Sequence, residues 1–161
     1  MGLPHTNQGE VLVSGKSVLT LIPEIVSTGL PDIMLPVRNE SELSAISPDF
    51  SALSELSRKY EVVGVHAFTV NTTDGLVHCR NFAPLYDIDE EAATGTSNGA
   101  LTYYLYRNGL ISEGKENLFI QGEAMNRPSK IRSRVCLTQT GEVKIQIGGA
   151  AVILASGEIH L

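Results

Sequence analysis

Residues 82–109 read F-A-P-L-Y-D-I-D-E-E-A-A-T-G-T-S-N-G-A-L-T-Y-Y-L-Y-R-N-G, and this stretch decides the fold. It starts as the end of a strand, crosses an acidic loop holding Asp87, Asp89, Glu90 and Glu91, and becomes a helix. Thr94, Thr96 and Ser97 each offer a side-chain oxygen to the unpaired amides of a first helical turn. Gly109 suits the residue after the helix, which places the helix at about 96–108. Ala100, Leu101, Tyr103, Tyr104, Leu105 and Tyr106 leave it little polar face, so it should be buried on most sides. Its N-terminus then opens inside the protein as a site for a small anion such as a carboxylate. The same residues also fit a well-capped core helix whose preceding acids merely complement the helix dipole.

Outward from this stretch, the 161 residues fit one domain with a sizeable core. The chain is 42% apolar and 19% charged, as in a soluble globular protein. A net charge of −6 argues against non-specific binding to nucleic acid or an anionic membrane. No apolar run approaches 18 residues and no signal-peptide pattern opens the chain, so a cytoplasmic protein is expected. Cys79 and Cys136 read as two free thiols. His66 and His78, on separate strands, read as structural histidines, because no metal spacing links them to each other or to Cys79. Neither metal nor cofactor is expected.

Residues 1–9 read as a loose tail. Residues 10–22 fit a hairpin turning at Ser14-Gly15, or a strand followed by a short helix. Strands are expected at 24–28 and 32–38, with Pro36 demoting the second toward an edge. Helices follow at 40–46 and 48–59, then strands at 62–70 and 76–84. After the apolar helix come strands at 117–122, 130–137, 143–147 and 150–155. This order suits an α+β domain whose mixed sheet curves around one apolar helix.

The run from Phe82 to Leu101 resembles the signature of the PhzF-like (phenazine-biosynthesis-like) family, with its F-A-P strand end, acidic loop and A-T-G-T helix opening. I-V-S-T-G-L-P at 25–31, V-V-G-V-H-A-F-T at 62–69 and Q-G-E-A-M-N-R-P-S-K-I at 121–131 are similar to it in the same order. The resemblance implies a diaminopimelate-epimerase-like domain over 23–161, following an N-terminal tail and ambiguous segment over 1–22. It covers only the second of the family's two similar domains; the first domain's D-A-F-x-x-x-G-N-P opening and C-G-H-A-T-like loop do not occur here.

The resemblance also implies cofactor-independent isomerisation of a small carboxylate-bearing metabolite by acid/base proton transfer. Glu91 falls where the family places an acid, usually aspartate, before P-A-T-G; here the following residue is Ala92. A carboxylate can exchange protons with carbon if its pKa lies near neutrality. Asp89 and Glu90 are alternatives for that role. Thr96 falls where the family has serine and related racemases have a catalytic cysteine, which disfavours two-cysteine racemisation. It would cap the helix or donate to substrate. Thr94, Gly95 and Ser97 would complete a substrate-anchoring loop, while Arg127 reads as a turn residue that could also meet a carboxylate.

Three functions follow: half of an isomerase, inactive or weak alone; a non-catalytic binding or assembly domain of the same fold; and, less favoured, a racemase or epimerase. The expected partners are a carboxylate metabolite and either a second copy of the chain or a separate first domain.

Overall fold

The computed structural model describes residues 10–13 and 17–158; the tail at 1–9 and the Ser14-Gly15 turn lie outside them. Strands β1 (Glu10–Val13) and β2 (Ser17–Thr20) pair antiparallel as a separate two-stranded unit, so the hairpin reading holds over the helical one. The main sheet has eight strands. It is built from β3 (Glu24–Ser27), β4 (Pro31–Pro36), β5 (Gly64–Thr69), β6 (Val77–Ala83), β7 (Ile88–Glu91), β8 (Glu116–Gln121), β9 (Ser129–Leu137) and β10 (Val143–Gly148). Seven of them run in the order β10-β9-β8-β6-β5-β4-β3, with β7 paired to β6.

Two pairings are parallel, β4 with β5 and β6 with β8, and each requires a crossover. The first crossover carries α1 (Glu40–Ser44) and α2 (Phe50–Tyr60); the second carries α3 (Gly95–Arg107). Side chains alternate across each strand, so the sheet feeds two cores. Val26, Met34, Phe68, Cys79, Phe119 and Ile131 pack on Ala100, Leu101, Tyr104 and Leu105 of α3. Leu35, Val65, Ala67 and Phe82 pack on the other face with Leu43 of α1 and Leu53 of α2. Because α3 touches both β3 and β10, at opposite ends of the strand order, the sheet curls around it as a half-barrel.

The expected helix at 96–108 starts and ends one residue earlier, and it is buried as its composition requires: Ser97 to Thr102, Tyr104 and Leu105 are all buried. Tyr104 contributes most at one point. Its ring meets Phe68 edge-on at 5.5 Å and its hydroxyl donates to the Ile22 carbonyl at 2.7 Å.

Three readings of the strands are corrected. β4 is an interior strand, because Pro36 is its last residue and its missing amide falls where the ladder ends; Val37 N–H takes over with the Phe68 carbonyl at 2.8 Å. The acidic loop contains a strand, β7, held by pairing Glu91 with Asn81 and Ile88 with Ala83. No strand forms at 150–155, where Val152, Ile153 and Leu154 are 81%, 91% and 93% exposed. A β-prone run without a neighbouring strand to pair with gains no ladder.

Candidate functional site

The sheet's alternation sorts the acids of the central stretch. Glu90 points to the α1–α2 face, where Arg80 grips it with two bonds of 2.9 and 2.8 Å. The same guanidinium donates to the Leu43 and Ile46 carbonyls at 3.2 and 2.8 Å, closing the end of α1. Glu90 is thus an internal ion pair that fixes a helix end, which removes it as an alternative acid/base group. Asp89 is exposed to solvent.

Glu91 points to the α3 side. Its carboxylate accepts from the Thr94 hydroxyl at 2.5 Å, and its backbone carbonyl accepts from Gln121 Nε2 at 2.7 Å. Gln121 is wholly buried and organises the turn. Its Nε2 also donates to Thr94 Oγ1 at 3.0 Å, and its Oε1 accepts from Thr94 N–H at 3.2 Å and from Asn98 Nδ2 at 2.8 Å. Gly122 makes room for this arrangement. It has φ +88°, and a Cβ there would lie 2.8 Å from the Ala92 carbonyl oxygen and 2.5 Å from that of Arg127. The Gln-Gly of 121–122 therefore holds the Glu91–Thr94 loop against α3.

Thr94 is the residue that enters α3, but its hydroxyl is turned to Glu91 and makes no cap. Among the described residues, no side chain accepts from the first-turn amides. Gly95 and Thr96 are exposed at this opening, beside the half-buried Glu91. Thr96 does not cap the helix: with the helix starting at Gly95 it lies inside the first turn, and its carbonyl accepts from the Thr28 hydroxyl at 3.4 Å. Ser97 faces inward. It is 1% exposed and its hydroxyl donates to Asp32 Oδ2 at 2.5 Å, so its side chain is not at the opening.

Asp32 is the residue that reading the chain in order missed. It lies on β4, 1% exposed, and among the described residues its Oδ1 has no hydrogen-bond partner. Burial raises its pKa above the usual carboxylate value; the Ser97 bond and the nearby Gly64 amide oppose this, and the negative charge of Glu91 adds to it. Two carboxyls thus approach the start of α3 from different strands, Glu91 bonded to the Thr94 hydroxyl at the opening and Asp32 to the inward-facing Ser97 hydroxyl. The nearest signal in the sequence is the I-V-S-T-G-L-P run, which ends one residue before Asp32.

The remaining candidates divide between core and surface. His66 is fully buried, bonded through Nδ1 to Asn81 at 3.0 Å, and burial holds its pKa down at about 4 despite the neighbouring Asn81 and Asn98. Cys79 is buried beside Asn98 and Ile120, and burial drives its thiol pKa far up. Cys136 is partly exposed. Arg127 is exposed and follows the Gly122 turn through its amide. His78 lies on the other face of the sheet among carboxylates. Burial opposes its charge, but bonds to Glu123 and Asp74 outweigh that and hold its pKa above the ordinary value. A surface groove between Arg132, Arg134 and Gln146 contains none of the candidate residues.

The curled sheet around one helix has known counterparts. The phenazine biosynthesis-like profile matches residues 4–157. The chain belongs to that family. It is 32% identical over 143 residues to an uncharacterized isomerase of Clostridium acetobutylicum, covering 86% of this chain and 47% of that one. It is 31% identical to the trans-2,3-dihydro-3-hydroxyanthranilate isomerase of Pseudomonas chlororaphis, covering 86% and 45%. In structure it is similar to a phenazine biosynthesis protein of Bacillus anthracis, with a TM-score of 0.69, 21% identity, and coverage of 84% and 47%.

This phenazine biosynthesis-like chain therefore spans about half the length of the curated relatives it matches. It spans 77% of a shorter one, an uncharacterized isomerase of Schizosaccharomyces pombe that is 28% identical to it. The family is one of isomerases and the α+β fold is theirs. Among the described residues no helix is long and apolar enough to cross a membrane.

Proposed function

We propose that this chain supplies one half-site of a cofactor-independent isomerase acting on a small carboxylate-bearing metabolite. The observation that carries the reading is the placement of Glu91 at the uncapped N-terminus of α3. A substrate carboxylate has free amides of Gly95 and Thr96 to bind, and a protein carboxylate stands next to it. In its ionised form Glu91 takes a proton from the substrate carbon; after transfer it returns one at a second carbon. The Thr94 hydroxyl holds the carboxylate, and the Gln121 amide holds the Glu91 backbone carbonyl and the Thr94 hydroxyl in turn. Asp32 stays protonated at pH values where an ordinary aspartate has ionised, and it acts through Ser97 on the helix opening rather than on substrate. Thr96 donates its hydroxyl to the bound carboxylate.

Acid/base isomerisation needs groups across the substrate from Glu91, and the Clostridium and Pseudomonas relatives are about twice as long as this chain. We infer that the chain alone binds more readily than it turns over. A non-catalytic binding or assembly domain is the second reading, and the chain's length relative to the curated isomerases is what favours it. The test uses trans-2,3-dihydro-3-hydroxyanthranilate, the compound named for one relative, and benzoate as a plain carboxylate.

Amide shifts at residues 95–97 on adding benzoate, with no deuterium uptake by the dihydro compound in heavy water, are the expected result. Absence of any shift at those amides removes the half-site and leaves an assembly domain. Deuterium uptake that disappears in Glu91→Gln overturns the incompleteness while upholding the role of Glu91. Uptake that survives in Glu91→Gln overturns that role.

A further inference from the structure

The face of the sheet away from α3 holds a group that the proposed reaction does not use. His78, at the start of β6, is 8% exposed and stands among three carboxylates from three other places in the chain. Glu123, in the turn after β8, accepts from Nδ1 at 2.6 Å. Asp74, in the loop before β6, and Glu40, the first residue of α1, face Nε2 with oxygens at 3.2 and 3.8 Å.

Three features separate this cluster from a solvated acidic patch. First, the imidazole is aimed. A carboxylate on Nδ1 fixes the ring so that Nε2 is directed at the other two acids, the arrangement by which histidine is presented to a metal. Second, the spacing fits. Ligands about 2.1 Å from a tetrahedral cation stand roughly 3.4 Å apart, and the two separations from Nε2 fall on either side of that. One ligand atom from each of Glu40, Asp74 and His78 lies within 4.8 Å of the others. Third, the charge does not balance. Three carboxylates face one imidazole, which carries +1 at most, and among the described residues no Lys or Arg ion pair reaches Glu40, Asp74 or Glu123.

We propose that Glu40, Asp74 and His78 bind a divalent first-row cation of the zinc type, with Glu123 as the carboxylate that orients His78. One nitrogen and two carboxylate oxygens suit zinc, manganese or cobalt, whereas calcium and magnesium prefer oxygen-only shells. Water fills the remaining positions. The cation ties the start of α1 to the loop before β6. Through Glu123 it also braces the turn two residues beyond Gln121, which positions Glu91. It is a structural clip, since the sheet separates it from α3. The sequence carries a faint sign in the D-x-x-x-H of residues 74–78.

The test is titration of the whole chelator-treated chain with zinc chloride by calorimetry and thermal melting, with calcium chloride in parallel. One equivalent of zinc should bind and raise the melting temperature, and calcium should do neither. Asp74→Asn and Glu40→Gln alter partly exposed side chains and should each weaken zinc binding about tenfold or more. Glu123→Gln should weaken it by roughly 10 to 100-fold while leaving one equivalent bound. Cys136→Ser controls for the exposed thiol and should leave binding unchanged. The proposal is overturned if zinc neither binds nor shifts the melt, which would leave His78 as a protonated ion-pair partner. It is overturned equally if binding survives in Asp74→Asn and Glu40→Gln, or vanishes in Cys136→Ser.

Discussion

Asp32 is a buried carboxyl with one oxygen bonded to Ser97 and the other unpartnered among the described residues, and its protonation has a measurable consequence. A carboxyl whose folded pKa is raised keeps a proton that the unfolded chain has already lost. Between the ordinary value of 3.8 and the raised one, stability therefore falls as pH rises, by up to about 1.4 kcal/mol per pH unit. Asp32→Asn removes this slope. The melting temperature of the variant minus that of the parent should grow as pH rises from about 4, then level off; a difference flat with pH would show that Asp32 titrates normally.

The difference is the proper readout because His66 acts oppositely in an overlapping window. Held neutral down to about 4, it costs stability as pH falls below 6.5. The thiols give a second check at this scale. A thiol reagent should modify Cys136 alone in the native chain and both cysteines in denaturant, since burial keeps Cys79 protonated and inaccessible. Rapid native labelling of Cys79 would contradict that burial. The meeting of Glu91 and Thr94 was legible in sequence because they lie three positions apart within one string. Asp32 was not, because only the curl of the sheet brings β4 to the start of α3.

At the scale of elements, β7 decides what neighbouring acids do. Its alternation sends Glu90 to Arg80 and Glu91 to Thr94. Isosteric amides should therefore have opposite effects. Glu90→Gln leaves a guanidinium that is 10% exposed without its carboxylate and should cost on the order of 3 kcal/mol, loosening the end of α1 as well. Glu91→Gln keeps an acceptor for the Thr94 hydroxyl and should cost under about 1 kcal/mol, while changing the response to benzoate. Chemical denaturation of the two variants side by side measures this, and equal losses would mean that the two faces of β7 are not distinct.

The sequence made α3 plain, through its apolar run and Gly109. It hid β7, because I-D-E-E has the composition of a loop and becomes a strand only through pairing with β6. It hid the interior place of β4 for a related reason: a proline weighs against a central strand only if it interrupts the ladder, and Pro36 ends one.

At the scale of the molecule the sheet is a half-barrel with two unjoined ends. Exposed apolar side chains gather there: Ile25 on β3, Val143 and Ile147 on β10, and Val152, Ile153 and Leu154 beyond it. A soluble chain rarely leaves so much apolar surface uncovered. The match covers only about half of the Clostridium and Pseudomonas relatives, so their remaining halves are of similar length to the stretch described. We therefore propose that two copies pair about a two-fold axis, the commonest symmetry for homo-oligomers, and cover these ends against each other. A stable dimer of this kind should bury at least about 1,000 Å².

Pairing that brought two Glu91 loops together would place like charges face to face, at a cost unless a proton or cation lies between them. Such a dimer would tighten in Glu91→Gln, whereas one built on the sheet ends alone would not. Light scattering of the parent and Glu91→Gln at micromolar concentration separates the two and also tests the dimer itself. Ile153→Ser with Leu154→Ser should shift the chain toward monomer without lowering its stability, because those side chains touch solvent already. A parent chain that is monomeric throughout, or a double variant as dimeric as the parent, would exclude these residues as the contact.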